Sequence, residues 1–73
     1  MTAQSYDIEV FGQSFKLSSE KSEQHVRTVA AYVDQKMRER ASASKTLRPL
    51  RVAIMAALDI AEEVFEQSES GYP

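Results

Sequence analysis

An α+β fold is predicted: an N-terminal two-stranded antiparallel β-hairpin followed by two α-helices, the second a coiled-coil-like dimerisation helix. Three observations carry the prediction. Apolar and polar residues alternate on both sides of a glycine turn between Tyr6 and Leu17. Apolar residues then recur every third or fourth position from Val26 to Met37. Finally, the run from Val52 to Ala61 has Asp59 as its single polar residue, so the helix containing it is apolar on nearly every side and must be covered all round. A chain of 73 residues has little else to cover it with, and the missing cover is expected to be another subunit.

The hairpin is expected over residues 6–17. Tyr6, Ile8 and Val10 alternate with Asp7 and Glu9, the pattern of a half-buried strand. Phe15-Lys16-Leu17 resumes the alternation after Gly12-Gln13, a loop with glycine first that suits a type II′ turn. That turn would pair Val10 with Phe15, Glu9 with Lys16 and Ile8 with Leu17, apolar on one face and opposite charges on the other.

An isolated hairpin is marginal in water, so its apolar face must lie on something. Val26, Val29, Ala30, Val33 and Met37 form one stripe of a helix expected over residues 20–40, with Ser19 or Ser22 as its cap. Arg27, Asp34, Gln35 and Arg38 should face water on the opposite side. The small polar segment from Ala41 to Lys45 reads as the connection to a second helix over residues 47–69. Pro49 is tolerated only in a first turn. Leu47, Leu50, Ile54, Ala57, Ala61 and Val64 follow a coiled-coil spacing, widened by Leu58 and Phe65. Gly71 and Pro73 would end the helix. The whole chain, 1–73, reads as one domain.

Composition narrows the function classes. No cysteine is present, which excludes disulfides and thiolate metal sites and fits a reducing compartment. His25 is the single histidine, so no histidine-cluster metal site exists. The apolar run is too short to span a bilayer, which takes ~20 residues, and no signal peptide is evident. A soluble cytoplasmic protein is expected. No phosphate-binding glycine loop, carboxylate pair or nucleophile–base spacing appears, so neither catalytic residues nor a cofactor are expected.

The net charge of −2 hides a segregation. Lys36, Arg38, Arg40, Lys45, Arg48 and Arg51 cluster over residues 36–51, while Asp59, Glu62, Glu63, Glu66 and Glu69 follow without a base. Arg48 and Arg51 at the start of the second helix, and the acids near its end, oppose the helix dipole. An antiparallel neighbouring helix or an acidic partner would offset this. Phe11, beside the turn, either shields it or anchors a partner. A strand followed by two helices also suits a ribbon–helix–helix DNA-binding repressor or antitoxin. Asp7 and Glu9 on the strand's polar face would repel phosphates and argue against that alternative.

Three segments resemble the ZapA family, small bacterial proteins associated with the FtsZ division ring. Residues 7–15, DIEVFGQSF, are similar to the family's I-x-[IV]-[FY]-G-x-x-[FYL] hairpin. Residues 25–39, HVRTVAAYVDQKMRE, resemble the H-[MV]-R-x-V-A-x-x-V-D-x-K-M-R-E first helix of its shorter members. Residues 52–63, VAIMAALDIAEE, look like its A-[AV]-[LV]-N-[IV] second-helix core. The resemblance implies a non-enzymatic adaptor, cytoplasmic and at the mid-cell division ring, that binds FtsZ and bundles or cross-links its filaments. Such proteins act as dimers, or as tetramers of two dimers. On this reading Leu50, Ile54, Met55, Ala57, Leu58, Ala61 and Phe65 form the homodimer interface. Phe11, Gln13, Lys16, Lys36, Arg38, Arg40, Lys45 and Arg48 would meet FtsZ. Two departures stand out. Gln13 occupies a turn position that is basic in some members, and the family's long C-terminal coiled coil is expected to be missing or truncated at Gly71-Tyr72-Pro73. A tetramer then requires a longer natural chain.

Overall fold

The computed structural model describes residues 2–46 and 48–67. Strands β1 (Gln4–Val10) and β2 (Gln13–Ser19) form an antiparallel two-stranded sheet, followed by helices α1 (Glu23–Ser44) and α2 (Pro49–Gln67). The chain divides into two compact units, residues 1–35 and 36–73, and α1 runs through both. The expected end of the second helix at residue 69, the stops at Gly71 and Pro73, and the seam residue Leu47 lie outside the described residues.

In the first unit the hairpin turns one residue earlier than expected. Phe11 and Gly12 are the central residues, with φ of 53° and 77°. Both are left-handed, which is a type I′ turn, where Asn-Gly is the usual pair. A phenylalanine there costs roughly 1–2 kcal/mol because its Cβ crowds the following carbonyl. That cost is why Gly12 at the first central position was the simpler expectation. The register therefore pairs Val10 with Gln13, Ile8 with Phe15 and Tyr6 with Leu17. It differs from the expected register by two residues on one strand. Side chains alternate with period two, so every residue keeps its expected face. Lys16 now meets Asp7, at 3.0 Å, in place of Glu9.

The buried residues of this unit are Ile8 and Val10 from β1 and Val26 and Ala30 from α1. Full burial of an aliphatic side chain such as Ile8 contributes roughly 1.5–3 kcal/mol. Strand β2 adds no buried residue, and Phe15 and Leu17 stay exposed. Polar contacts fasten the hairpin to the chain after it. The Tyr6 hydroxyl donates to the Lys21 carbonyl at 2.9 Å, and Arg27 Nη1 donates to the Asp7 carbonyl at 3.1 Å. The Phe11 amide donates to Asp34 Oδ1 at 2.6 Å. Arg27 and Asp34 thus do not simply face water, as their spacing suggested. Ser22 is the helix cap, accepting from the His25 amide at 3.1 Å. Val29, expected in the buried stripe, is exposed, and Val33 is half-buried.

Helix α1 passes through the segment expected to be a linker and ends at Ser44. Alanine is the best helix former and Ala41 is buried, so nothing stops the helix there. It ends in a Schellman motif: Lys45 is left-handed, with φ 54°, and the Thr46 amide donates to the Ala41 carbonyl at 3.2 Å. In the second unit the end of α1 and helix α2 pair antiparallel. Lys36 bonds Glu63, Arg40 bonds Asp59 and Ser44 meets Met55, stepping four residues along each helix in opposite directions. Met37, Ala41, Val52 and Ala56 are buried, Val52 completely.

Candidate functional site

Helix α2 has two apolar faces. Val52 and Ala56 are buried within the second unit, with Ala53, Asp59, Ile60 and Glu63 partly covered. The expected coiled-coil seam is exposed instead: Leu50 by 75%, Leu58 by 61%, Phe65 by 61% and Ile54 by 53%. Ala57, Ala61 and Val64 are exposed between them. Leu50, Ile54, Ala57, Ala61 and Val64 therefore make a continuous apolar stripe at coiled-coil spacing along the whole helix. Large contiguous apolar patches mark interaction sites. Met55, expected in the same interface, is half-buried, with its sulfur 3.6 Å from the Ser44 hydroxyl.

The cations expected to meet a partner separate into two kinds. Lys36 and Arg40 are held by acids of α2. Lys36, with only 18% of its side chain exposed, pairs with Glu63, and also lies 3.9 Å from Glu39. Arg40 grips Asp59 with two hydrogen bonds, Nε at 2.6 Å and Nη2 at 2.7 Å, the planar fork geometry that suits a carboxylate. Arg40's hydrogen bonds hold the Asp59 carboxyl below the usual carboxylate range, and the same bonds raise Arg40. These pairs set the basic end of α1 beside acids of α2 within one chain, but they do not include Arg48 and Arg51, the cations whose placement an antiparallel neighbour was expected to offset. Lys45, Arg48 and Arg51 form a different group. They are exposed around the helix–helix turn and make no ion pair with a described residue. Arg38 is exposed on α1.

At the hairpin, Gln13 opens β2 on the same side as Val10, and it is exposed. Lys16 is exposed and paired with Asp7. Phe11 is half-buried at the turn itself. Asp34 and Asp59 were not among the candidate site residues read from the sequence. Asp34 could have been found, because it falls four residues after Ala30 and three before Met37, on the buried stripe. Asp59 stands out in the sequence as the lone polar residue of the apolar run, but nothing there names Arg40 as its partner. Among the described residues no helix is long and apolar enough to cross a membrane, and no cluster of His, Asp or Glu is placed to hold a metal ion.

Comparison with known proteins gives a consistent result. The family model for cell division protein ZapA matches residues 6–72. Cell division protein ZapA of Bacillus thuringiensis (strain Al Hakam) is 32% identical over 63 residues, covering 86% of this chain and 71% of that protein. ZapA of Geobacillus sp. (strain WCH70) is 31% identical over 62 residues, covering 85% and 71%. Among solved structures, a ZapA mutant dimer from Geobacillus stearothermophilus superimposes with a TM-score of 0.76 at 28% identity, covering 96% of this chain and 81% of that one. The hairpin followed by two helices is the fold shared with that structure, and the family model covers all four elements nearly end to end: the chain belongs to the ZapA family of cell division proteins.

Proposed function

We propose that this chain is a non-enzymatic cell-division adaptor. It works as a homodimer, binds FtsZ and promotes bundling or cross-linking of FtsZ filaments at the mid-cell division ring in the cytoplasm. The observation that carries the reading is the exposed apolar stripe of α2. Val52 and Ala56 are buried in the chain's own second unit, whereas Leu50, Ile54, Leu58 and Phe65 are left to water. A second copy of the same helix would cover them, burying Leu50, Ile54, Ala57, Leu58, Ala61 and Phe65, with Met55 at the margin. The related structure is described as a dimer, which supports this assembly.

A dimer presents every partner-binding surface twice, so it links filaments through avidity even where each contact is weak. The surfaces proposed for FtsZ are the hairpin tip, with Phe11, Gln13 and Lys16, and the basic residues Lys45, Arg48 and Arg38. Lys36 and Arg40 belong to the same basic region and contribute after exchange from their acids. The DNA-binding alternative gains no support from the hairpin, whose outer face carries the exposed carboxylates of Asp7 and Glu9. A tetramer of two dimers is part of this proposal if the natural chain continues beyond Pro73. The test is sedimentation of FtsZ polymer with GTP in the presence of the full-length natural protein. An increase in pelleted polymer is expected, and no increase would overturn the reading.

A further inference from the structure

The hairpin tip combines an unfavourable backbone conformation with a hydrogen bond to a residue remote in sequence. Phe11 is one of two non-glycine residues with positive φ among those described, and it stands where asparagine would relieve the crowding. In a type I′ turn the amide of the first central residue points away from the ladder and needs another acceptor. Asp34 supplies one, at 2.6 Å across 23 residues of sequence, in a part-buried setting. Hydrogen bonds to a carboxylate are short and roughly twice as strong as neutral ones.

The acid also occupies an unusual place on its helix. Val26, Ala30, Met37 and Ala41 are the buried residues of α1, and Asp34 falls on the stripe between Ala30 and Met37. Helical spacing favours an apolar residue there. A carboxylate placed on an apolar stripe needs a partner to offset its desolvation, and the Phe11 amide is such a partner. Strand β2 has no buried residue to fix the tip from its own side. Positive φ at Phe11 and Gly12, the half-buried Phe11 ring and the charge-assisted bond of the Phe11 amide therefore converge on the turn.

We propose that Asp34 is a positioning residue: by accepting the Phe11 amide it latches the hairpin turn in its left-handed form and so presents the Phe11-Gly12-Gln13 tip to the partner filament. The proposal rests on the reading that the tip contacts FtsZ. Strain held at a recognition loop pre-organises it, so that the ordering cost is met before binding.

The experiment compares the full chain with Asp34→Ala, Asp34→Asn and Phe11→Ala, each first checked for retained helix content by circular dichroism. Two readouts are taken, Phe11 amide exchange by NMR and FtsZ pelleting with GTP. In Asp34→Ala the Phe11 amide should exchange roughly tenfold faster or more, with exchange in the middle of α2 unchanged. The concentration needed for half-maximal pelleting should rise by roughly fivefold or more, since the competent tip conformation becomes a minor state. Asp34→Asn keeps an acceptor oxygen and should recover much of both. An unchanged Phe11 amide in Asp34→Ala overturns the latch. Faster exchange with unchanged pelleting, while Phe11→Ala abolishes pelleting, overturns the positioning role alone. Unchanged pelleting in both Phe11→Ala and Asp34→Ala overturns the hairpin reading on which the proposal stands.

Discussion

Phe11, Lys45 and Arg48 each occupy a position that elementary backbone chemistry would give to another residue. Phe11 and Lys45 have φ of 53° and 54°, where glycine or asparagine is least strained. Arg48 immediately precedes α2, and its carbonyl accepts the Val52 amide at 2.9 Å. It is therefore the N-cap, a position that favours Ser, Asp or Asn and disfavours a cation. Conflicts between local preference and fold concentrate at functional sites, and these three residues are among those proposed to meet FtsZ. Lys45→Gly should stabilise the protein by about 1 kcal/mol by relieving the left-handed lysine, seen as a raised Tm. Arg48→Asp should also stabilise, by about 1 kcal/mol, through a capping carboxylate at the dipole's positive end. Both variants should pellet less FtsZ than the parent despite their greater stability. If either pellets FtsZ as well as the parent, that cation has no role in binding. The sequence alone points to Lys45 and Arg48 as exposed charge. It does not reveal the strain, because a left-handed lysine follows from where α1 stops, and α1 runs beyond its expected end at residue 40 to Ser44.

Between elements, the ladder joining α1 to α2 sets the register of the helical pair. Lys36–Glu63 and Arg40–Asp59 lie one turn apart on both helices, so a slip along either helix separates both pairs together. Arg40 holds Asp59 below the ordinary carboxylate range. A depressed carboxyl contributes stability that is present above its unfolded value, about 3.9, and is lost as pH falls through the lower folded value. Asp59→Asn should therefore be less stable than the parent near neutrality, and the difference should close as the solution is acidified below about pH 4. Chemical denaturation across pH checks this; a gap that persists undiminished in acid would show that the Asp59 charge is not its source. Element order and faces were legible in the sequence because they rest on periodicity. Tyr6, Ile8 and Val10 keep their side of the hairpin whichever turn is used. The hairpin register was not legible, since a two-residue offset preserves every face and the turn type hung on whether phenylalanine could take a positive φ. The ladder was half legible: the sequence shows a basic segment followed by an acidic one, but not that Lys36 and Arg40 meet Glu63 and Asp59 while Arg48 and Arg51 stay outside the ladder.

For the molecule as a whole, the decisive property is that α2 buries one apolar face inside its own unit and leaves the other exposed. Both faces were visible in the sequence as a single undivided run from Val52 to Ala61. Periodicity could not divide the run, because apolar residues fill every position of it except Asp59 and so surround the helix. The structure divides it, with Val52 fully buried and Leu58 exposed by 61%. The two residues should therefore respond differently to the same chemical change. Val52→Lys places a charge in a fully packed site without a partner, which is among the most destabilising changes available, and the chain should not fold. Leu58→Lys places the same charge on a surface that is open within one copy, so its helix content should survive. In the proposed dimer that surface closes against the second copy, and an unpaired lysine there would again be desolvated. Leu58→Lys should thus sediment as a folded monomer at concentrations where the parent is a dimer. Helix content by circular dichroism and mass by sedimentation equilibrium separate the possibilities. A Leu58→Lys protein that stays dimeric would exclude this face of α2 from the interface, and one that loses its helices would mean that the exposed stripe is needed for folding as well as for association.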